Sequence, residues 1–403
     1  MKENYLILKK LLDSKLQKIS FDFERFILEK IDFSKKIIGI YGERWVWKTY
    51  LMLQRLKKTW GFYFSCDNPI VQNMDLIKFI DFLVNDLSYK YLYIDEIQKN
   101  PNWTNIVKAI YDLDFDANFI FSGSSSLDLY KWTIDLWRRV KFYNLYTLNY
   151  FEFLNLFYWE KNTNLDLSLE KLLANHEKIS LKFWEKYSIW KFDNFLKSGF
   201  YPFSKNFSFE DFTEALQEVL KKVIIEDLPS FKVFKSVSLI NLQKIFYFIA
   251  NNLPSELSFL SLSKKIWVDK KIIEDVLFLL DKIWVVVLVP KFWSLSDVVR
   301  KEYKIFLWNP NLYYIWSYSP NIWTIRESFF LSQIRKIQNI EIFSYGKWDF
   351  LVKNFDKQYI FEIWWKSKTK KQIAWEKNAF VVLDDIIVWE ENKIPMWIFS
   401  LLS

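Results

Sequence analysis

The stretch IIGIYGERWVWKTY (37–50) decides how the chain is read. A short apolar run, a loop opened by glycine, then Lys-Thr is the layout of a strand feeding a phosphate-binding loop, G-x-x-x-x-G-K-[ST]. Gly42, Lys48 and Thr49 fit that pattern. Trp47 stands where its second glycine belongs, and Trp45 stands two residues earlier. Such a loop works by turning backbone N–H groups and a helix N-terminus onto an anion. Glycine is needed wherever the main chain comes close to phosphate, so two indoles there conflict with the chemistry that the flanking residues imply.

The conflict extends along the chain. It has 21 Trp and only 6 Gly in 403 residues, whereas average glycine usage of about 7% would give roughly 28. Tryptophan and glycine together come close to that figure. Trp267, in LSKKIWVDKK, sits where a helix-turn-helix turns, and Trp284, in FLLDKIWVVVLV, sits at a helix stop before a strand. Trp348 lies in SYGKWDFLV, and Trp364–Trp365 form a doublet before Lys366. The expectation is that most of these residues are glycine in the native protein, through UGA codons that the source organism reads as glycine. Trp103, in KNPNWTNIV, is expected to be a genuine tryptophan.

Bulk properties exclude several classes. Half of the chain is apolar (51%) and a quarter charged (26%), a globular composition, and its length asks for two to four domains. The single cysteine, Cys66, rules out a disulfide framework and a cysteine-based zinc site. The single histidine, His176, is expected at the surface and leaves little room for histidine catalysis. There is no run of about 18 apolar residues, and MKENYLILKKLLDSKL lacks the apolar core of a signal peptide. A cytoplasmic protein with no membrane segment is expected. A net charge of +8 permits nucleic-acid contact, but over this length it is also ordinary solubility.

Apolar spacing predicts a helix from residue 1 to about 30, then strands KIIGIY, GFYFSC, KYLYIDEIQ, NFIFSGSSS and VKFYNLYTL. Helices TYLMLQRLKK, NMDLIKFIDFLVNDL and NWTNIVKAIYDL lie between them, so an α/β fold with a covered parallel sheet is expected. From about 150 to 250 the pattern is helical. Residues 238–295 read as helix, helix, turn, helix and an apolar strand pair, a winged-helix pattern. From about 325 a helix (RESFFLSQIRKI) leads into strands IEIFSY, DFLVKN and YIFEIW, a basic stretch (KSKTKKQ) and a strand near FVVLDD, a small α/β unit.

Two motifs carry the chemistry. Lys48 would place a point charge on the β- and γ-phosphates of a nucleotide, and Thr49 a hydroxyl on Mg²⁺. YLYIDEIQ sets four apolar residues before Asp95-Glu96 and resembles a Walker B strand. There Asp95 holds the Mg²⁺ shell and Glu96 polarises the attacking water. An acidic strand end that caps a neighbouring helix is the plainer alternative.

With these residues in view, IIGIYGER, YLYIDEIQKNPNW, FIFSGSSSLDLYK and DLWRRVKFYNLYTLNYFEFL resemble the bacterial and archaeal AAA+ ATPases of the G-x-R-x-x-G-K-T type. The resemblance is specific over about 36–155. It implies an N-terminal helix and five-stranded AAA+ core over 1–150, a helical lid over 151–237, a winged helix over 238–320 and a restriction-endonuclease-like α/β domain over 321–403. It implies ATP with Mg²⁺, held by Gly42, Glu43, Arg44, Trp45, Val46, Trp47, Lys48, Thr49 and Tyr50, with Arg44 bracing the loop. Ser122 or Ser124 matches the polar sensor position near the γ-phosphate. Arg138 or Arg139 matches the family's arginine, acting in its own subunit or as a finger into a neighbour. Trp45, Trp47, Trp132 and Trp137 depart from the family, which often has glycine or another small residue there.

The later segments leave alternatives open. The helix in KIWVDKKIIEDVLFLLDKI would be the recognition helix, but its face carries Lys270, Lys271, Glu274, Asp275, Asp281 and Lys282. Mixed signs suit a solvated or protein-packing face better than a major-groove reader. Glu327, Asp349, Glu362 and Lys366 resemble a PD-(D/E)xK nuclease site, where acids bind Mg²⁺ and the lysine steadies developing charge. The spacing departs, since Trp364 stands two residues after Glu362 and Lys366 four. A degenerate fold kept for binding is the alternative. The expected function is ATP binding and hydrolysis coupled to a protein or DNA partner, or to further copies of the chain. A nucleotide-independent binding protein and an ATP-gated DNA nuclease are the other two readings.

Overall fold

Helix α1 (Lys2–Lys18) buries Leu8 and Leu12 and leaves its basic and acidic residues outside. It ends at Lys18, short of the expected limit near residue 30, with Ile19 already extended. The reason shows in the exposure of the chain that follows: Asp22 and Glu24 are exposed while Phe23 and Arg25 are buried. That alternation belongs to extended backbone. The computed structural model describes residues 1–19, 22–123, 136–163, 165, 167–223, 239–292, 302–364, 378–384, 386–389 and 392–402. Ser124, Trp132, Lys366 and the basic stretch 366–372 lie outside them.

The chain folds as two units, Met1–Thr147 and Leu148–Ser403. The first holds strands β1 (Ile37–Tyr41), β2 (Gly61–Ser65), β3 (Tyr91–Asp95), β4 (Asn118–Gly123) and β5 (Lys141–Asn144). All neighbours pair in parallel, in the order β2-β3-β4-β1-β5. Helices α2 (Lys48–Leu56), α3 (Pro69–Gln72), α4 (Leu76–Asp81) and α5 (Trp103–Asp112) lie between the strands. Central strands covered on both faces must be apolar throughout. Ile37, Ile38, Ile40, Leu92, Tyr93, Ile94, Phe119, Ile120 and Phe121 are accordingly buried. The expected five-stranded α/β core is therefore present. Because β1 lies between β4 and β5, the loop after β1 opens at the carboxyl ends of the central strands, where open α/β sheets bind ligands.

Among the described residues the second unit is mainly helical up to Asn251 and then carries two sheets. Strands β6 (Leu257–Ser258), β7 (Val286–Pro290) and β8 (Glu302–Leu307) form an antiparallel sheet in the order β6-β8-β7. Helices Leu239–Asn251, Phe259–Ile266 and Lys270–Lys282 accompany it. Strands β9 (Ile340–Tyr345), β10 (Trp348–Asn354), β11 (Lys357–Trp364), β12 (Ala379–Leu383) and β13 (Lys393–Pro395) form a mixed sheet in chain order. β13, which pairs in parallel with β12, was not legible as a strand in the sequence. Among the described residues no helix is long and apolar enough to cross a membrane.

Backbone conformation bears on the tryptophans. Trp45 (φ 68°), Trp47 (φ 68°), Trp159 (φ 56°), Trp267 (φ 59°) and Trp284 (φ 58°) all lie in the left-handed region, which costs an L-residue about 1–2 kcal/mol. Trp159 and Trp267 each close a helix there, the place where glycine is the usual stop. Trp348 departs from the expectation. It is buried in β10, and the positive φ of that hairpin (53°) belongs to the neighbouring Gly346. Trp103 is buried at the start of α5, as befits a native indole. Trp267 is 89% exposed, so its ring gains almost nothing from burial. W267G should therefore stabilise the protein by about 1 kcal/mol. Scanning calorimetry should show the second unit melting about 2–4 °C higher, and an unchanged or lower transition would contradict the strain assigned to this turn.

Candidate functional site: the loop between β1 and α2

After Tyr41 the chain turns through Gly42–Trp47 and enters α2 at Lys48. Gly42 admits no side chain, because a Cβ there would lie 2.1 Å from the carbonyl oxygen of Leu145. Val46 is fully buried, and its carbonyl accepts a 2.7 Å hydrogen bond from the buried Arg25 guanidinium. Arg25 also donates to the carbonyls of Tyr146 (2.7 Å) and Thr147 (3.4 Å), clamping the loop to the segment after β5. Sequence reasoning missed Arg25. The signal was available in the alternation that buries Phe23 and Arg25, since an arginine on a buried face needs carbonyl or carboxylate partners.

The two loop indoles go different ways. Trp45 is half exposed. Trp47 lies against Tyr50, with ring centroids 4.6 Å apart, and against Phe23 at 6.2 Å. Tyr50 also donates to the Phe23 carbonyl at 3.4 Å. Glu43 and Arg44 are half-buried in the same loop. Lys48 is buried, and its Nζ donates to the loop carbonyls of Gly42 (2.9 Å) and Glu43 (2.6 Å). Burial pulls the Lys48 ammonium below its usual pKa, while Glu96, Asp95 and Glu43 pull it back up. A buried cation resting on neutral carbonyls is better served by an anion.

Asp95, at the carboxyl end of β3, is buried and receives three hydroxyls. Thr49 Oγ1 donates to Oδ2 at 2.6 Å, Tyr63 Oη donates to the same oxygen at 2.7 Å, and Ser122 Oγ donates to Oδ1. Ser122 Oγ in turn accepts the backbone N–H of Glu96 at 3.1 Å, so one serine holds both acidic positions. Glu96 sits in the left-handed region (φ 49°, ψ 44°), and Gln98 Nε2 donates to its Oε2. Strain at such a position is retained where a side chain must be aimed. The expected Lys48, Thr49, Asp95, Glu96 and Ser122 are thus brought together, and Tyr63 joins them unforeseen.

The site suits Mg²⁺ with a nucleotide. A hydroxyl and a carboxylate oxygen 2.6 Å apart offer hard oxygen donors, beside an ammonium at a helix N-terminus. The two arginines part company. Arg139 lies against Asp112 (3.9 Å) and the Tyr111 ring (5.4 Å) at the end of α5, whereas Arg138 is exposed beside the Trp137 ring (5.1 Å).

In the second unit, Glu362 Oε2 accepts the backbone N–H of Asp349 (3.1 Å), and Asp349 Oδ2 accepts that of Ile363 (2.8 Å). Lys304 Nζ lies 4.0 Å from Asp349 Oδ1. Glu327 faces this pair, and its carboxyl is pushed well above the usual range by burial and then by Asp349. The structure thus brings Glu327, Asp349 and Glu362 together. Among the described residues, however, no group of three His, Cys, Asp or Glu side chains is placed to hold a metal ion. His176 corrects an expectation. It is buried, with Nδ1 2.7 Å from the Leu173 carbonyl and its ring edge-on to Phe380 and Trp389, because the helix Leu169–Phe183 turns that face inward.

Comparison with known proteins agrees with the first unit. Residues 34–154 match the family model described as AAA domain. The chain is 26% identical over 312 residues to the uncharacterized protein MJ1637 of Methanocaldococcus jannaschii, covering 72% of this chain and 65% of that relative's length. Among solved structures it is similar to the Walker-type ATPase PABY2304 of Pyrococcus abyssi (13% identity, TM-score 0.40, 72% of this chain and 93% of that one). It is also similar to AMPPCP-bound DnaA from Aquifex aeolicus (14% identity, TM-score 0.24, 68% and 88%). The stretch that matches the AAA domain model contains the whole five-stranded sheet and the Lys48–Thr49–Asp95 cluster.

Proposed function

We propose that the first unit binds ATP with Mg²⁺ and hydrolyses it, and that the native residues at 45 and 47 are glycine. The observation that carries the first part is the 2.6 Å hydrogen bond from Thr49 to Asp95, which joins the loop helix to the end of β3 across 46 residues of sequence. Bound there, Mg²⁺ would neutralise phosphate charge and polarise the bond to be broken. Thr49 and Asp95 would hold it. Lys48 would leave its two loop carbonyls for the phosphates. Glu96, steadied by Ser122 and Gln98, would orient and deprotonate the attacking water. Arg138, exposed beside the loop's own unit, is the arginine better placed to serve a neighbouring subunit, and Arg139 to brace α5.

The glycine assignment rests on the five left-handed tryptophans. A nucleotide cradle needs successive N–H groups aimed at one point, and glycine takes the required φ without strain. UGA codons read as glycine would explain the same substitution at unrelated turns. The remaining lines of the proposal concern the second unit. Helices Phe259–Ile266 and Lys270–Lys282 with the β6-β8-β7 sheet support a winged helix within 238–320, after a lid over 151–237. Asp281, on the would-be recognition helix, is taken up by Arg335 (2.6 and 3.2 Å), which favours a protein-packing role over reading DNA.

A second reading makes residues 321–403 a nuclease-like domain that takes Mg²⁺ on Glu327, Asp349 and Glu362, with Lys366 as the assisting cation. The convergence of the three carboxylates favours it, and the want of a ready-made metal geometry among the described residues favours the degenerate fold.

The W45G/W47G protein should turn over ATP, and K48A and E96Q in that background should reduce the rate at least 100-fold, on the order expected for loss of a charge clamp or a general base. The same double substitution without any MgATP-dependent rise in melting temperature would support a nucleotide-independent binding protein instead. Intact-mass analysis of the protein from its source organism should read lower than the printed sequence by several Trp-to-Gly differences, and a mass containing all 21 tryptophans would refute the recoding. For the second unit, a carboxyl with a raised folded pKa favours the fold at low pH and loses that contribution as pH rises above its ordinary value of about 4.5. The melting-temperature advantage of E327Q should therefore grow from pH 5 to pH 8. If Mg²⁺ stabilises the unsubstituted protein at pH 8 but not E327Q, and supports nicking of DNA, the nuclease reading stands.

A further inference from the structure

Tyr63 and Lys15 have no part in the motifs, yet they end at the carboxylate on which the nucleotide site turns. Tyr63, on β2, is buried, and its phenol donates to Asp95 Oδ2 at 2.7 Å, the same oxygen that receives Thr49. Behind it stands Lys15, in the last turn of α1. Its ammonium donates to the Tyr63 oxygen at 3.2 Å and lies 4.9 Å from the centre of the ring. A cation that donates to a phenol oxygen makes the phenolic O–H a stronger donor in turn. The chain Lys15–Tyr63–Asp95 therefore links a surface lysine to the buried acid through one aromatic ring.

The helix that carries Lys15 packs against the sheet through its apolar face. Leu8 and Leu12 are buried, Tyr5 packs on Phe62 at 5.3 Å, and the Tyr5 and Tyr89 hydroxyls lie 3.0 Å apart. Lys15 itself is exposed. Lys15 reaches Tyr63 only while α1 is seated on these contacts.

We propose that Tyr63 is a positioning residue for Asp95, and that Lys15 makes its action depend on the seating of helix α1. The phenol fixes one lone pair of Oδ2, so that the remaining face of the carboxylate points to where Thr49 lies and the metal would be held. This inference rests on the assignment of the MgATP site, and its test separates the two. In the W45G/W47G protein, binding of a fluorescent ATP analogue is titrated in EDTA and at rising Mg²⁺. Y63F should leave metal-free binding within about twofold and raise the Mg²⁺ concentration for half-maximal gain about tenfold, as for losing one hydrogen bond to a charged group. K15M, a surface change that spares the fold should Y63F fail to fold, should shift the Mg²⁺ midpoint the same way by less, and K15R should restore it. A parent that binds no analogue overturns the nucleotide site and this inference with it. A parent that binds, with unchanged Mg²⁺ midpoints in Y63F and K15M, overturns this inference alone.

Discussion

The first unit is organised around a buried carboxylate that has to be satisfied. Asp95 lies under the surface at the end of β3, where an unpartnered charge would cost several kcal/mol. Sheet order supplies the remedy. β3 has β2 on one side and β4 on the other, so Tyr63 and Ser122 flank the acid from neighbouring strands, and Thr49 comes from the helix after β1. The three donors arrive from separate connections of the fold. The acid can accept them all only if β1, β2, β3 and β4 are in their places. The same geometry leaves Lys48 beside it on two carbonyls, so the site already holds the charges that an anion and a hard cation would exchange.

Much of this was legible in the sequence because it is written locally. Four apolar segments of five or six residues, β1 to β4, mark covered strands, and β5 is the half-exposed strand at the edge. Lys48, Thr49, Asp95 and Glu96 follow their strands by fixed spacing and could be placed without knowing the fold. What was not legible depends on contacts across the chain. Tyr63 looks like one more aromatic in an apolar strand, and only the pairing of Ser65 with Asp95 brings its hydroxyl to the acid. Arg25 looks like a surface charge in a predicted helix, and its bonds reach Val46, 21 residues on, and Tyr146 and Thr147, 121 and 122 residues on. His176 faced inward for a similar reason: one apolar stripe on the helix Leu169–Phe183 had to be buried, and the ring fell on it.

The tryptophans invert the usual relation between side chain and backbone. An indole is normally placed by what its large ring can bury. Trp103 and Trp397 follow that rule and are buried. Trp45, Trp159 and Trp267 are exposed, and what their positions share is a left-handed backbone. Backbone conformation there is set by the loop or helix stop, and the ring is left in solvent. A residue chosen by φ with no account of its side chain is what glycine is for. The loop between β1 and α2 and the turn before the helix Lys270–Lys282 therefore obey one rule.

The two acidic clusters of the chain differ in how their charge is met. Around Asp95 the neighbours are hydroxyls and a lysine, which are donors and can be exchanged for a metal or a phosphate without leaving a group stranded. Around Glu327 the neighbours include two further carboxylates, and burial and then Asp349 push its carboxyl up, with Lys304 pulling the other way. The first arrangement is ready for its ligand as it stands. In the second, burial and the neighbouring acids favour the protonated glutamate, so Mg²⁺ would compete with a proton there and the two sites should answer to pH in different ways.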